Sequence, residues 1–328
     1  MLWIDAGKIP PEIEINSLFS SRKITHAFHD IDGTHSLIRQ WVPVMALVTG
    51  FVARYGMPDA GSPADIAAVI ARKNPDEFPE GRRFAIESAG LSALTQMEWA
   101  LRCAGEVGKY DICGTSAEVN REIIRKIWLG EEDFSSYPET EIFRERLQKD
   151  SSKLFKAYEI LLLAMGRDRN LADAKKHPDK WRVKGSLEFL QFLHRCGVKN
   201  YFVTGAVVEY DDSGRAAGTM VEEITALHLQ PADGGIVEKL IGSTWQKKLP
   251  KAEIMRNICR TEKIDPANIL VIGDGRSEIA AGVEMGAVCI SRLDEDALRA
   301  KEIHRQLGTN LIVPHYAAGL SGFMSFIP

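Results

Sequence analysis

The feature that most constrains the fold is a change of rhythm along the chain. In the last part, short apolar runs ("VKNYFVTG", "NILVIGDG", "AVCIS", "TNLIVP") alternate with helical stretches such as "SLEFLQFLHRCG", "PKAEIMRNICRTEK" and "SEIAAGVEMG". Strands that are apolar throughout and separated by helices belong to a parallel sheet covered on both faces. Such sheets bind ligands beyond the carboxyl ends of their strands. One more strand-like stretch, "ITHAFHD", stands alone near the N-terminus, after an irregular lead-in over residues 1–23. Residues 36–178 between them read as helix after helix. The pattern predicts a Rossmann-like α/β core made of residues 1–35 and 179–328, with an all-helical domain, residues 36–178, inserted into it.

The helical block carries its own punctuation. "SPADIAAVIARK" opens with Ser62 as N-cap and Pro63 in the first turn. "TSAEVNREIIRKIWLG" has Thr115 or Ser116 as cap and Gly130 as stop. "SLIRQWVPVMALVTGFVARYG" contains Pro43, which must kink or restart a helix. Phe51, Trp128 and Tyr158 fall at core spacing. Gln96, Glu98, Trp99 and Arg102 on one helix read as an ordinary mixture of core and surface. "RDRNLADAKKHPDKW" reads as a polar linker.

Composition narrows the class. A chain of 328 residues with 45% hydrophobic and 26% charged residues is globular in composition. The net charge of −4 leaves no basic excess for a nucleic acid. No apolar run reaches the ~18 residues that span a bilayer, so no membrane partner is expected. The opening "MLWIDAGKIPPEIEINSL" lacks the basic-then-apolar pattern of a secretory leader. Five scattered cysteines without a Cys-x-x-Cys pair suggest neither a disulfide framework nor a zinc site. A cytoplasmic setting is expected.

Four features fall at strand ends or a helix start. They are Asp30 and Asp32 in "HDIDGTHS", Thr204 with Gly205 in "FVTGA", the lysines of "WQKKLPKAE", and Asp274 with Glu278 in "GDGRSE". In a parallel sheet these positions share one edge. Clustered carboxylates raise one another's pKa unless a cation neutralises them, and Mg²⁺ suits an all-oxygen set completed by a substrate phosphate. One carboxylate can then attack phosphorus while a second protonates the leaving oxygen.

Taken together, "DIDGT", "FVTG", a lysine ahead of a helix and "VIGDGRSE" resemble, in order and spacing, the four motifs of the haloacid dehalogenase superfamily of phosphohydrolases. The insertion point is that of a C1-type helical cap. The resemblance implies that Asp30 is the nucleophile and that Asp32 is the general acid and then base. It implies Thr204, Gly205 and a lysine on the phosphoryl group. It further implies Mg²⁺ held by Asp30, the Asp32 carbonyl and Asp274, with Glu278 supporting. Lys248, just ahead of the helix that Pro250 begins, is the preferred lysine, with Lys247 and Lys251 as rivals.

The expected activity is Mg²⁺-dependent hydrolysis of a small phosphorylated metabolite, sugar phosphate-like, through an aspartyl-phosphate. A phosphomutase keeps both aspartates, and a non-catalytic phosphometabolite-binding protein could share the fold. A dinucleotide-binding reading of "VIGDGRSEIAAG" fails because Glu278 would face the pyrophosphate. His29 and His35 stand where the superfamily usually has apolar residues. One is expected to pack beside the sheet and the other to line the hinge into the helical block, with titration near neutral pH that tunes the site as the alternative.

Overall fold

The computed structural model describes residues 2–4, 13–17, 19–20, 22–245, 247, 249–317 and 324–326, of which 2–4 and 324–326 are considered by backbone only. The chain forms two compact units, residues 1–38 with 169–328 and residues 39–168.

The first unit is built on strands β1 (Leu2–Ile4), β2 (Glu14–Ile15), β3 (Arg22–Ile24), β4 (His26–His29), β5 (Lys199–Val207), β6 (Glu209–Tyr210), β7 (Ala216–Ala217), β8 (Lys239–Ser243), β9 (Ile269–Gly273), β10 (Val288–Arg292), β11 (Leu311–Val313) and β12 (Met324–Phe326). Seven of them form one sheet in the order β2-β11-β10-β9-β4-β5-β8. Every pairing in it is parallel except that of β2 with β11. The lone N-terminal strand is therefore β4, at the centre between β9 and β5.

Alternation explains the unbroken apolar runs. Leu270 and Ile272 of β9 pack with Phe189 and Leu193 of the helix Ser186–Arg195 on one face. Ile269 and Val271 pack with Ile254, Met255 and Ile258 of the helix Lys251–Glu262 on the other. Both sides of the central strands are buried, so no polar alternation is needed there. Ala27 of β4 belongs to the first face and Phe28 to the second. His29, two residues after Ala27, consequently points to the Phe189 side.

The sequence reading placed the divisions at 35/36 and 178/179, whereas the compact units divide after residues 38 and 168. The expected linker is in fact helical, over Asp168–Ala174 and Pro178–Trp181. Leu171 and Ala174 are buried there and pack with Leu190 and Phe202 of the first unit, which polar neighbours concealed.

In the second unit Pro43 starts the helix Val42–Tyr55 rather than kinking a longer one. Ser62 caps Pro63–Ile70 by accepting from the Asp65 N–H, and Ser116 caps Ala117–Trp128. Trp99 stacks on Phe84 with centroids 3.7 Å apart. Arg102, buried, makes two bonds of 2.8 and 2.9 Å to Glu139 and one of 2.9 Å to Glu98. Gln96 donates 2.8 Å to Ser88 Oγ. These polar groups are satisfied inside their own unit. No described helix is long and apolar enough to cross a membrane.

His304 offers a test of core placement. It is the buried residue of the helix Leu298–Leu307, and its Nδ1 lies 2.8 Å from Ser291 Oγ on β10. Burial, with Arg276 adding to it, pushes the imidazole down to about 4. The unfolded chain therefore takes up this proton first. The contribution of a neutral His304 is full above about pH 6.5 and is lost as pH falls toward about 4. Acidification across that window is expected to remove on the order of 3 kcal/mol through this group. Urea denaturation in the two buffers measures it, and His304→Gln should lessen the loss by about that amount, the buried His29 and His35 supplying the remainder. A wild-type profile already flat there would contradict the placement.

Candidate active site

The register of the central strands brings the sequence features to one edge. His29 of β4 pairs with Phe202 of β5 and with Ile272 of β9. Asp30 follows His29 directly, and Thr204 and Asp274 each lie two residues beyond a paired partner. The Asp30 N–H donates 2.9 Å to the Ile272 carbonyl, which extends the ladder to the nucleophile candidate.

Three carboxylates meet there. Asp30, Asp274 and Glu278 each present an oxygen within 4.8 Å of the others. Lys251 Nζ lies between two of them, 2.6 Å from Asp30 Oδ1 and 3.0 Å from Glu278 Oε2. Both partners and the lysine are buried. The unit that carries them is a mostly parallel sheet with helices packed on both faces. Its order of motif positions along the chain is the order in which Asp30, Thr204, Lys251 and Asp274 arrive at this edge.

Electrostatics follow from the crowding. Burial, then the charges of Asp30 and Glu278, hold the Asp274 carboxyl well above the usual carboxylate range, with Lys251 and Arg292 opposing. Burial also raises Glu278, against the pull of Lys251. Burial works to lower the Lys251 ammonium, but the charges of Asp30 and Glu278 and its bonds to them outweigh it and raise it. One lysine does not neutralise three carboxylates.

Glu278 is fully engaged. Its Oε1 accepts from the Gly275 N–H at 2.7 Å, and its Oε2 accepts from Lys251 and from Ser277 Oγ at 3.1 Å. It orients the lysine. Gly273 permits this, because a Cβ there would lie 2.2 Å from Glu278 Oε1. Asp274 Oδ1 accepts from Thr34 Oγ1 at 3.2 Å. Gly33 allows the approach, since its φ is +81° and a Cβ on it would meet Asp274 Oδ2 at 2.0 Å.

The loop after β4 is tied from several directions. The Ile31 carbonyl accepts from the N–H groups of Thr34, His35 and Ser36. Arg292 Nη1 donates 2.9 Å to the Gly33 carbonyl, and Tyr316 Oη donates 3.0 Å to the Thr34 carbonyl. Asp32, half-buried, sits inside this turn. Thr204 is buried in β5, and its Oγ1 accepts from the Ala206 N–H at 3.1 Å. Gly205 follows it in the same strand.

Of the three candidate lysines, Lys251 is the one the described residues bring to the carboxylates. Lys248 lies outside the described residues, and the lysine at the carboxylates is Lys251, first residue of the helix Lys251–Glu262. A sequence signal for it existed. Lys251, Ile254, Met255, Ile258 and Cys259 form the buried stripe of that helix at helical spacing. A lysine on an apolar stripe needs a charged partner. Arg292 and Tyr316 carried no comparable signal.

His29 and His35 are both fully buried. Burial pushes His29 down to about 4, against a raising bond from Asn200. Burial, then the charges of His29 and Arg292, carries His35 well below its ordinary value. Both shifts favour the neutral rings.

No protein-family model and no curated protein matches the chain. Among solved structures, a phosphonoacetaldehyde hydrolase-like protein from Oleispira antarctica is similar at a TM-score of 0.49 and 13% identity, covering 94% of each chain. A predicted phosphatase from Clostridium acetobutylicum is similar at 0.47 and 12%, over 89% of this chain and 94% of its own. A hydrolase from Pseudomonas syringae follows at 0.45 and 14%, over 90% and 96%. Likeness this distant carries no argument about the reaction, which rests on the site itself.

Proposed function

We propose that the protein is a Mg²⁺-dependent phosphatase acting on a small phosphorylated metabolite through an aspartyl-phosphate. The observation that carries this reading is the buried Lys251 bridging Asp30 and Glu278 beside Asp274. A carboxylate held by a lysine at the end of a central strand is placed to attack, and the ammonium offsets charge on the transferring group. The donor set fits Mg²⁺: it is all oxygen, and its acids outnumber its lysine. Asp30, Asp274 and the Asp32 carbonyl would hold the ion. When bound it supplies positive charge that draws together substrate phosphate and nucleophile.

In the reaction an Asp30 oxygen forms a bond to phosphorus while the ester P–O bond breaks. Asp32 gives its proton to the departing alcohol. Asp32 then takes a proton from water as that water attacks phosphorus, which frees Asp30 and releases inorganic phosphate. Thr204 and the backbone at Gly205 would bind the phosphoryl oxygens.

A screen of phosphorylated metabolites with Mg²⁺ present tests the reading. Phosphate release from at least one sugar or polyol phosphate is expected, with loss of nearly all turnover under chelation and recovery on adding Mg²⁺. Turnover indifferent to chelation, or an isomerised sugar phosphate without free phosphate, would overturn it.

A further inference from the structure

The geometry points to a buried histidine staple, His29 to His35, that fixes Asp32 relative to Asp30 and so acts as a positioning device for the proposed phosphatase reaction, on whose reading it rests. His29 Nδ1 and His35 Nε2 are 3.0 Å apart. The first residue precedes Asp30 and the second comes three after Asp32, so the bond closes the base of the loop that carries both aspartates.

The proton positions follow from the neighbours. Asn200 Nδ2 donates to the carbonyls of Leu190 at 3.1 Å and Ile236 at 2.8 Å, which fixes the orientation of its amide. Its Oδ1 therefore faces His29 Nε2, 3.1 Å away, and that nitrogen must carry hydrogen. In a neutral ring His29 Nδ1 is then an acceptor, so His35 Nε2 must donate to it. His35 Nδ1 is left as an acceptor, and Ser186 Oγ donates to it at 2.7 Å. The relay runs Ser186, His35, His29, Asn200, with one proton arrangement that satisfies every member. All four residues are buried, so water does not compete.

Specificity of the arrangement gives it mechanical content. Were His35 to take the other tautomer, its Nε2 lone pair would face the His29 Nδ1 lone pair and the staple would open. Asn200 selects the tautomers, and Ser186, from a helix outside the reacting groups, supplies the hydrogen bond without which the buried His35 Nδ1 lone pair is left unpaired and the ring shifts. Tyr316 stacks on His35 with centroids 5.0 Å apart and planes within 7°, and its hydroxyl holds the Thr34 carbonyl, so a loosened His35 also loosens Thr34. A misplacement of about 1 Å at reacting groups is enough for roughly a hundredfold in rate.

The test uses the full chain labelled with ¹⁵N-histidine, together with Ser186→Ala and Ser186→Thr. In the wild type, both rings should show the Nε2–H tautomer at neutral pH, with a ¹⁵N–¹⁵N coupling across the His35–His29 bond. Ser186→Ala should lose that coupling, lower kcat about tenfold with KM within about twofold, and weaken Mg²⁺ binding measured by calorimetry. Ser186→Thr, which keeps the hydroxyl, should restore all three. An Nδ1–H ring in the wild type, or unchanged kcat and Mg²⁺ affinity in Ser186→Ala, would overturn the staple while leaving wild-type turnover intact. A wild type without any phosphatase turnover would instead overturn the reaction, and the coupling and the Mg²⁺ titration would then judge the staple by themselves.

Discussion

Lys251→Met should leave a protein less stable by on the order of 3–5 kcal/mol and without measurable phosphate release. Methionine fills a similar volume, so the loss comes from charge and not from a void. In the wild type the ammonium lies 2.6 Å from Asp30 and 3.0 Å from Glu278, at 2% exposure. Removing it strands two carboxylates beside Asp274 where water cannot solvate them. The penalty is a large share of the roughly 5–15 kcal/mol that holds a typical domain together. Lys251→Arg should recover little, because a planar guanidinium does not fit a slot shaped for one nitrogen between two oxygens. Urea denaturation and phosphate release per folded molecule measure both effects. Wild-type stability in Lys251→Met would mean that the buried cluster is not formed as described.

Gly33→Ala should spare the fold but break the metal response. A methyl group there would sit 2.0 Å from Asp274 Oδ2 and would have to live at a φ of +81°. The backbone term alone costs about 1–2 kcal/mol. The collision matters more, because Asp274 must turn away from Asp30 and lose the Thr34 bond. We expect kcat/KM to fall roughly a hundredfold and the Mg²⁺ concentration for half-maximal rate to rise at least about tenfold. Gly286→Ala is the control: its φ is +77°, but a Cβ there meets no atom within 4 Å. It should show the backbone cost without the Mg²⁺ shift. Equal Mg²⁺ responses in the two variants would contradict the placement of Asp274 against Gly33.

Much of this site was legible because its parts sit where strands and helices must end. "NILVIGDG" and "ITHAFHD" announce central strands through burial on both sides, and the acids fall at their carboxyl ends. What escaped the sequence did so for physical reasons. The strand Lys239–Ser243 lies at the sheet edge and holds only two large apolar residues, Leu240 and Ile241, too few for a pattern. The helix Leu298–Leu307 buries little beyond His304, so its period is faint. Asp168–Ala174 looked like a linker because its two apolar anchors sit among charges. Lys251 is marked in the sequence only by the apolar stripe it begins, whereas Lys248 lies just ahead of Pro250. The histidines were opaque for another reason: the groups that define them, Asn200 and Ser186, lie 171 and 151 residues away in sequence.

The central claim is that Asp30 carries the phosphoryl group. The direct measurement is rapid mixing of the chain with its best phosphorylated substrate and Mg²⁺, acid quench, borohydride reduction of any acyl phosphate, and mass spectrometry of the peptide containing residue 30. The account predicts a reduced adduct at Asp30 that vanishes under chelation and is absent from Asp30→Asn. Full turnover with no adduct at Asp30, or an adduct at another residue, would contradict it.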